Sequence, residues 1–213
     1  MPDLHFQVDD ILPVSHAATP QLTCKLRITN SQPEPIHSAA LRVQIQIEPV
    51  RRRYTASERE HLKELFGEPE QWSKSLTPML WINANLNVPG LTGSTVVDLP
   101  LPCTFDFNVA ITKYIYGLEA GELPISFLFS GTIFYPGSMG LQIAQVPWDR
   151  EARYQLPVPV WKEMMNLYYA NSAWLCLPRD IFDQLYDFKS RQGIPTWEQA
   201  FERLLGVTAG AKS

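Results

Sequence analysis

The sequence predicts an α+β protein in which an antiparallel β-sandwich, immunoglobulin-like or related, carries a short inserted helix and a C-terminal helical region packed on it. Two observations lead to this class. Short apolar–polar alternating runs, separated by turn residues, fill the first two thirds of the chain. After Val146 the apolar residues take helical spacing instead. The predicted boundaries are residues 1–146 for the sandwich, 147–206 for the helical region and 207–213 for a flexible tail.

Two strands show the alternation most clearly. Leu22, Cys24, Leu26 and Ile28 fall on one side of the first, and the run 41–47 repeats the pattern. One face of each strand is therefore expected to pack on a core while the other faces water. Further strands are predicted at 79–86, 94–99, 104–115, 123–135 and 141–146.

A short helix is predicted inside the strand series, at residues 54–66. Thr55 and Glu58 have the spacing of a capping box, and Gly67 can adopt the left-handed conformation that ends a helix. The residues that follow, 68–72, are expected to form a loop across one end of the sheets.

Three helices are predicted in the C-terminal region. The first covers residues 160–169, where a wide stripe of the helix surface is apolar. The second begins near Pro178, which suits a first helical turn, and the third is capped by Thr196 and ends at Gly206. No glycine- or serine-rich linker precedes these helices, so we expect them to pack on the sandwich.

Composition and charge exclude several classes of protein. The formal net charge is −4 and charged residues make up 19% of the chain. This balance does not provide the basic face that a nucleic-acid phosphate backbone requires. Apolar runs end well before the roughly 20 residues that span a bilayer, and the first residues lack the features of a secretory signal. We therefore expect a cytoplasmic protein that binds neither nucleic acid nor membrane.

The sequence contains no recognisable catalytic or metal-binding signature. His5, His16, His37 and His61 are isolated from one another, and no paired-cysteine, nucleophile or phosphate-loop motif occurs. Cys24 falls on the same side of its strand as Leu22 and Leu26, and Cys176 lies between Leu175 and Leu177, so both are interpreted as core. Cys103 follows a turn-like Pro102, where core packing is again favoured. We predict no catalytic residue, no metal and no cofactor.

Three consecutive arginines form the first candidate contact site. Arg51, Arg52 and Arg53 follow a predicted strand directly, and their guanidinium groups could grip carboxylates or phosphate on a partner. A solvated run of charge is the alternative interpretation.

Aromatic residues after Val146 form the second candidate contact site. This region holds four of the six tryptophans of the chain, and exposed Trp, Tyr and Arg are the residues that anchor protein interfaces. Trp148, Asp149 and Trp161 are the predicted contacts. Packing of these rings inside the core is the alternative.

Five sequence blocks lie at residues 47–54, 64–67, 146–149, 161–165 and 195–198. Together they resemble the signature blocks of an uncharacterised bacterial family of about this length. The family is associated with gene clusters for nickel–iron hydrogenases and their maturation factors. The resemblance implies an accessory or assembly role, with a hydrogenase subunit or maturation factor as partner.

The leading hypothesis is a non-enzymatic protein that acts through protein–protein contacts. The alternative is a small-ligand binder or enzyme with its site in a crevice between sandwich and helices, using Asp149, Arg150 and either Cys103 or a histidine. A purely structural homo-oligomer is the third hypothesis, and it would need a large self-complementary apolar patch.

Overall fold

The computed structural model describes residues 1–103, 109–138, 140–170, 172, 175 and 177–206. Its strands form two antiparallel sheets, one with the order β1-β2-β5 and one with the order β4-β3-β6-β7, in which β8 also pairs with β6. The strands are β1 Leu4–Pro13, β2 Gln21–Asn30, β3 Ser38–Ile47, β4 Met79–Val88, β5 Ser94–Pro102, β6 Glu122–Gly137, β7 Gly140–Gln145 and β8 Glu151–Pro157.

The two sheets pack face to face around a single apolar core. The alternating residues of β2 and β3 are buried as predicted, with Leu26 on one sheet and Val43 on the other fully enclosed. Phe6 of β1 stacks on Phe129 of β6 across the core, with ring centroids 3.9 Å apart. The predicted β-sandwich and its α+β class are confirmed.

Strand β6 is long enough to carry two partners on one of its edges. Residues 122–128 pair with β8 and residues 132–137 pair with β7, while β3 occupies the opposite edge. Gly131 lies between the two pairings with a φ of +144°, and a Cβ at this position would lie 2.2 Å from the carbonyl oxygen of Ala40. Glycine is therefore required for β6 to pass this close to β3.

Replacing Gly131 by alanine is expected to lower the free energy of unfolding by about 2–4 kcal/mol, from backbone strain and overpacking together. Chemical denaturation would measure the loss. Gly140→Ala is the matched control, because Gly140 also has a positive φ but a Cβ there would meet no described atom within 4 Å. Equal losses in the two variants would show that the contact with Ala40 is not the cause.

The described helices follow the sequence prediction in most places. They are α1 Ala56–His61, α2 Lys63–Phe66, α3 Trp72–Ser75, α4 Val109–Tyr116, α5 Val158–Tyr168, α6 Arg179–Arg191 and α7 Trp197–Leu204. The capping box of Thr55 and Glu58 is formed, and Gly67 ends α2 with a φ of 76°. The predicted inserted helix is therefore present, although it is divided at Leu62.

Two local predictions are wrong, and two strands were missed. The strand predicted at 104–115 is a helix over its described part, since 109–116 forms α4, and residues 104–108 lie outside the described residues. The loop predicted at 68–72 contains a 3-10 turn at Pro69–Gln71 and the start of α3. Strands β1 and β8 were not predicted. A short apolar, β-branched run fits helix and strand equally well by periodicity, which explains the error at α4.

The chain divides into two compact units, Met1–Ser172 and Ala173–Ser213. The first unit contains β8 and α5, so the change from strand to helix occurs at Val158 and not directly after Val146. Helix α5 packs against β1, β2 and β8, and the Tyr168 hydroxyl donates to the carbonyl oxygen of Val14 at 2.6 Å. This helix is therefore an integral part of the sandwich unit.

The second unit contains helices α6 and α7. Pro178 precedes α6 and the side chain of Thr196 accepts a hydrogen bond from the Gln199 N–H, as the sequence predicted for the two helix starts. The rings of Phe182 and Trp197 lie 5.5 Å apart between their centroids, which joins the two helices.

Candidate protein-docking surface

In the described part of the chain, one outer edge of the five-stranded sheet is built from β7, β8 and the turn between them, and β4 forms the opposite edge. The N–H of Val146 donates to the carbonyl of Gly131 at 2.9 Å, and the N–H of Phe129 donates to the carbonyl of Arg150 at 3.0 Å. Both ends of the turn are therefore held on β6. Residues 147–149 project from the edge between these two anchors, and Trp148 is 94% exposed there, with Asp149 exposed beside it.

Strand β7 adds two more exposed apolar side chains to this edge. Leu141 and Ile143 are each 61% exposed, whereas Ala144 is buried against the core. The strand contains neither a charged residue nor proline, the residues with which proteins usually protect a sheet edge. Leu141, Ile143 and Trp148 together are called the β7 edge surface below.

A pocket of about 480 Å³ lies at the hairpin end of β7. Leu141 belongs both to this pocket and to the β7 edge surface, so the two are continuous. The other lining residues come from the segment before β3, the β4–β5 connection and the β6–β7 hairpin, and they are Pro35, Ile36, His37, Gly90, Pro136, Gly137 and Gly140.

The three arginines have different environments. Arg51 and Arg53 are exposed, as a contact site requires, and both line an open groove of about 570 Å³. The Arg52 side chain is only 7% exposed and donates to Glu58 and to the carbonyls of Ala120 and Glu122. The prediction of Arg52 as a partner contact is corrected by this burial, because its guanidinium is committed to internal acceptors.

The arginine groove is electrostatically balanced. Three glutamates, Glu58, Glu119 and Glu122, line it together with the three arginines. This pairing removes the excess of positive charge that would favour a free anion in the groove.

Glu58 is held in its charged form although it is buried. Burial raises the pKa of its carboxyl, but hydrogen bonds from the N–H groups of Thr55 and Glu119 and the charge of Arg52 outweigh this effect, so that the net pKa is lowered. The pair of Glu58 and Arg52 therefore has a structural role, joining the start of α1 to the segment before β6.

Trp161 is a core residue and not an interface anchor. It is 2% exposed on α5, and its ring meets that of Tyr116 edge-on at 5.3 Å between centroids. A partner has no access to this side chain, because α5 buries it against the sandwich. The sequence could not separate Trp161 from Trp148, since both occur in aromatic-rich segments.

Two of the residues named for the enzyme alternative, Arg150 and Cys103, are engaged within the fold. Arg150 is ion-paired with Asp3 at 2.5 Å. Cys103 is buried and its thiol donates to the carbonyl of Leu101, and burial raises the pKa of this thiol to about 12, which keeps it protonated. Within the described part of the chain, no group of three or more His, Cys, Asp and Glu residues could hold a metal ion.

The predicted contact residues that are exposed form two separate groups, Trp148 with Asp149 and Arg51 with Arg53. Gln155 of β8 lines the arginine groove, and six residues, 149–154, separate it from Trp148, which lies in the turn before β8. The extended part of this segment, residues 151–155, alone spans about 13 Å. The sequence analysis identified Trp148 and the arginines but missed Leu141 and Ile143. The signal that could have identified them is the absence of charged residues from the strand Gly140–Gln145.

A family model, described as a family of unknown function (DUF6084), matches residues 1–213. No curated protein matches the chain at a significant level. In the part of the chain that the structure describes, no helix combines the length and apolarity needed to cross a membrane.

Solved structures give weak overall matches. A CARDB domain from Pyrococcus furiosus is 11% identical with a TM-score of 0.29, over 73% of this chain and 91% of that domain. A β-glucosidase from Kluyveromyces marxianus is 8% identical with a TM-score of 0.29, over 72% of this chain and 15% of the enzyme. β-Glucosidase 3B from Thermotoga neapolitana is 12% identical with a TM-score of 0.27, over 72% and 17% of the two chains. Scores this low carry no inference about function.

Proposed function

We propose that this chain, which belongs to the family of unknown function DUF6084, is a non-enzymatic, cytoplasmic accessory protein that binds another protein through the β7 edge surface. The observation that carries the proposal is Trp148, a tryptophan with 94% of its surface in contact with solvent at the edge of a sheet. Large exposed aromatic side chains are the commonest strong anchors of protein interfaces.

The neighbours of Trp148 support the proposal. Leu141 and Ile143 add exposed apolar area on the strand that leads to Trp148, and exposed apolar patches on a protein surface mark interaction sites. Asp149 lies beside Trp148, and Arg51 and Arg53 lie at the far end of β8, where they could make polar contacts at the rim. A hydrogenase subunit or maturation factor is the first partner to test, because the sequence blocks resemble a family associated with such gene clusters.

The proposal predicts that Trp148→Ala weakens capture of the partner about tenfold or more while the fold is retained. The tagged chain would be used to retain proteins from its native host under mild conditions, and the retained proteins would be quantified by mass spectrometry. Val96→Ala is the matched control, since Val96 is an exposed apolar residue on the other sheet. Partners retained equally by the wild type and the Trp148→Ala variant would contradict the assignment.

A further inference from the structure

We propose that the partner binds to the β7 edge by adding an extended segment of its own chain as a further strand beside β7. This inference rests on the proposed function, because it specifies how the β7 edge surface is used. Strand addition obtains affinity from main-chain hydrogen bonds and specificity from pockets that receive alternate side chains. The β7 edge offers both.

The direction of the backbone groups of β7 follows from its pairing with β6. Val146 is hydrogen-bonded to Gly131, and in an antiparallel pair such bonded residues alternate with non-bonded ones. The N–H and C=O groups of Leu141, Ile143 and Gln145 therefore point away from β6. Among the described strands β7 pairs with β6 alone, so these groups form an open row of donors and acceptors.

The side chains along the edge suit an apolar segment. Leu141 and Ile143 lie opposite Pro136 and Phe134 on the outer face of the sheet, so alternate side chains of an added strand would meet apolar neighbours. The pocket at the hairpin end can receive one further side chain, and Trp148 bounds the other end. Six residues of β7 correspond to about 20 Å of added strand.

A partner segment fits this edge better than a second copy of the chain. Burial of Trp148 would remove about 200 Å² from water and burial of Leu141 and Ile143 about 100 Å² each. Two copies paired through this surface would thus bury about 800 Å², which is at the level of crystal-packing contacts and below the roughly 1,200 Å² of specific interfaces. A different protein can supply the remaining area from outside the added strand.

The experiment uses random ten-residue peptides displayed on phage, selected on the full-length chain and resynthesised for affinity measurement. Ile143→Pro removes the N–H that points away from β6, and it leaves the β7–β6 hydrogen bonds in place because the other residues of β7 make them. Ile143→Ala removes the side chain but keeps the N–H. We expect selected peptides to bind Ile143→Pro at least about tenfold more weakly than Ile143→Ala. On binding, amide exchange of Leu141, Ile143 and Gln145 should slow by a similar factor.

A second measurement does not depend on the folding of the proline variant. Each selected peptide would be made in two forms, one N-methylated at its odd-numbered residues and one at its even-numbered residues. Only every second N–H of an added strand faces β7, so one form should lose binding to the wild type and the other should keep it. Equal affinities of the two N-methylated forms for the wild type would overturn strand addition.

The remaining outcomes separate this inference from the proposed function. Peptides that bind Ile143→Pro and Ile143→Ala equally but fail on Trp148→Ala would overturn strand addition and leave the docking surface in place. A library that yields no peptide sensitive to any of the three variants would count against both. A dimer of the chain alone, seen in sedimentation and dissociated by Ile143→Pro, would show that a second copy fills the edge and would overturn a partner segment.

Discussion

Replacing Trp161 by alanine is expected to lower the free energy of unfolding by about 3–5 kcal/mol. The side chain is 2% exposed, and helix α5 holds it within the core of the first unit. Its removal would leave a cavity that the surrounding strands can fill only in part. Urea denaturation of the variant and of the wild type would measure the difference.

Trp148→Ala is the matched control for this loss. Both variants delete an indole ring, but Trp148 is 94% exposed, so its replacement should change stability by no more than about 0.5 kcal/mol. Two tryptophans that are equivalent by sequence reasoning are thus expected to separate into one that stabilises the fold and one that binds a partner. Similar losses in both variants would contradict the burial of Trp161.

The strands and the capped helix could be predicted because their signals are local. Alternation over seven residues is enough to define β2, and the spacing of Thr55 and Glu58 is enough to define the start of α1. Helix α4 could not be predicted in this way. Its Ile111, Tyr114 and Ile115 are buried by residues that are distant in the sequence, and a local pattern carries no information about those contacts.

The candidate site was predictable only in part, because exposure depends on which strands have neighbours. The sequence indicated a strand at 141–146, but an edge strand differs from a central one only after the sheet order is known. Arg52 shows the opposite error, because the sequence indicated an exposed contact and the fold buries the side chain. Three consecutive arginines look alike in sequence, and the turn of the chain after Pro49 buries the second and exposes the other two.

Breaking the buried ion pair by Arg52→Ala is expected to cost about 3–5 kcal/mol. The change would leave the Glu58 carboxylate, whose side chain is 1% exposed, without its counter-charge, and the carbonyls of Ala120 and Glu122 without their donor. Chemical denaturation at neutral pH would measure the loss. Lys113→Ala is the control, because the pair of Lys113 and Glu64 is largely exposed and should contribute less than about 1 kcal/mol.

The same pair predicts how stability depends on pH. The pKa of Glu58 is lower in the folded protein than its ordinary value of 4.5, so the folded state binds this proton less readily than the unfolded state. The stabilisation from the carboxylate is therefore fully present above about pH 4.5 and is lost as the pH falls through the lowered pKa. We expect the stability difference between the wild type and Glu58→Gln to stay constant from pH 8 to about pH 5 and to shrink below it. A difference that persists unchanged in strong acid would show that the charge of Glu58 is not its source, and the hydrogen bonds alone would then account for the role of this residue.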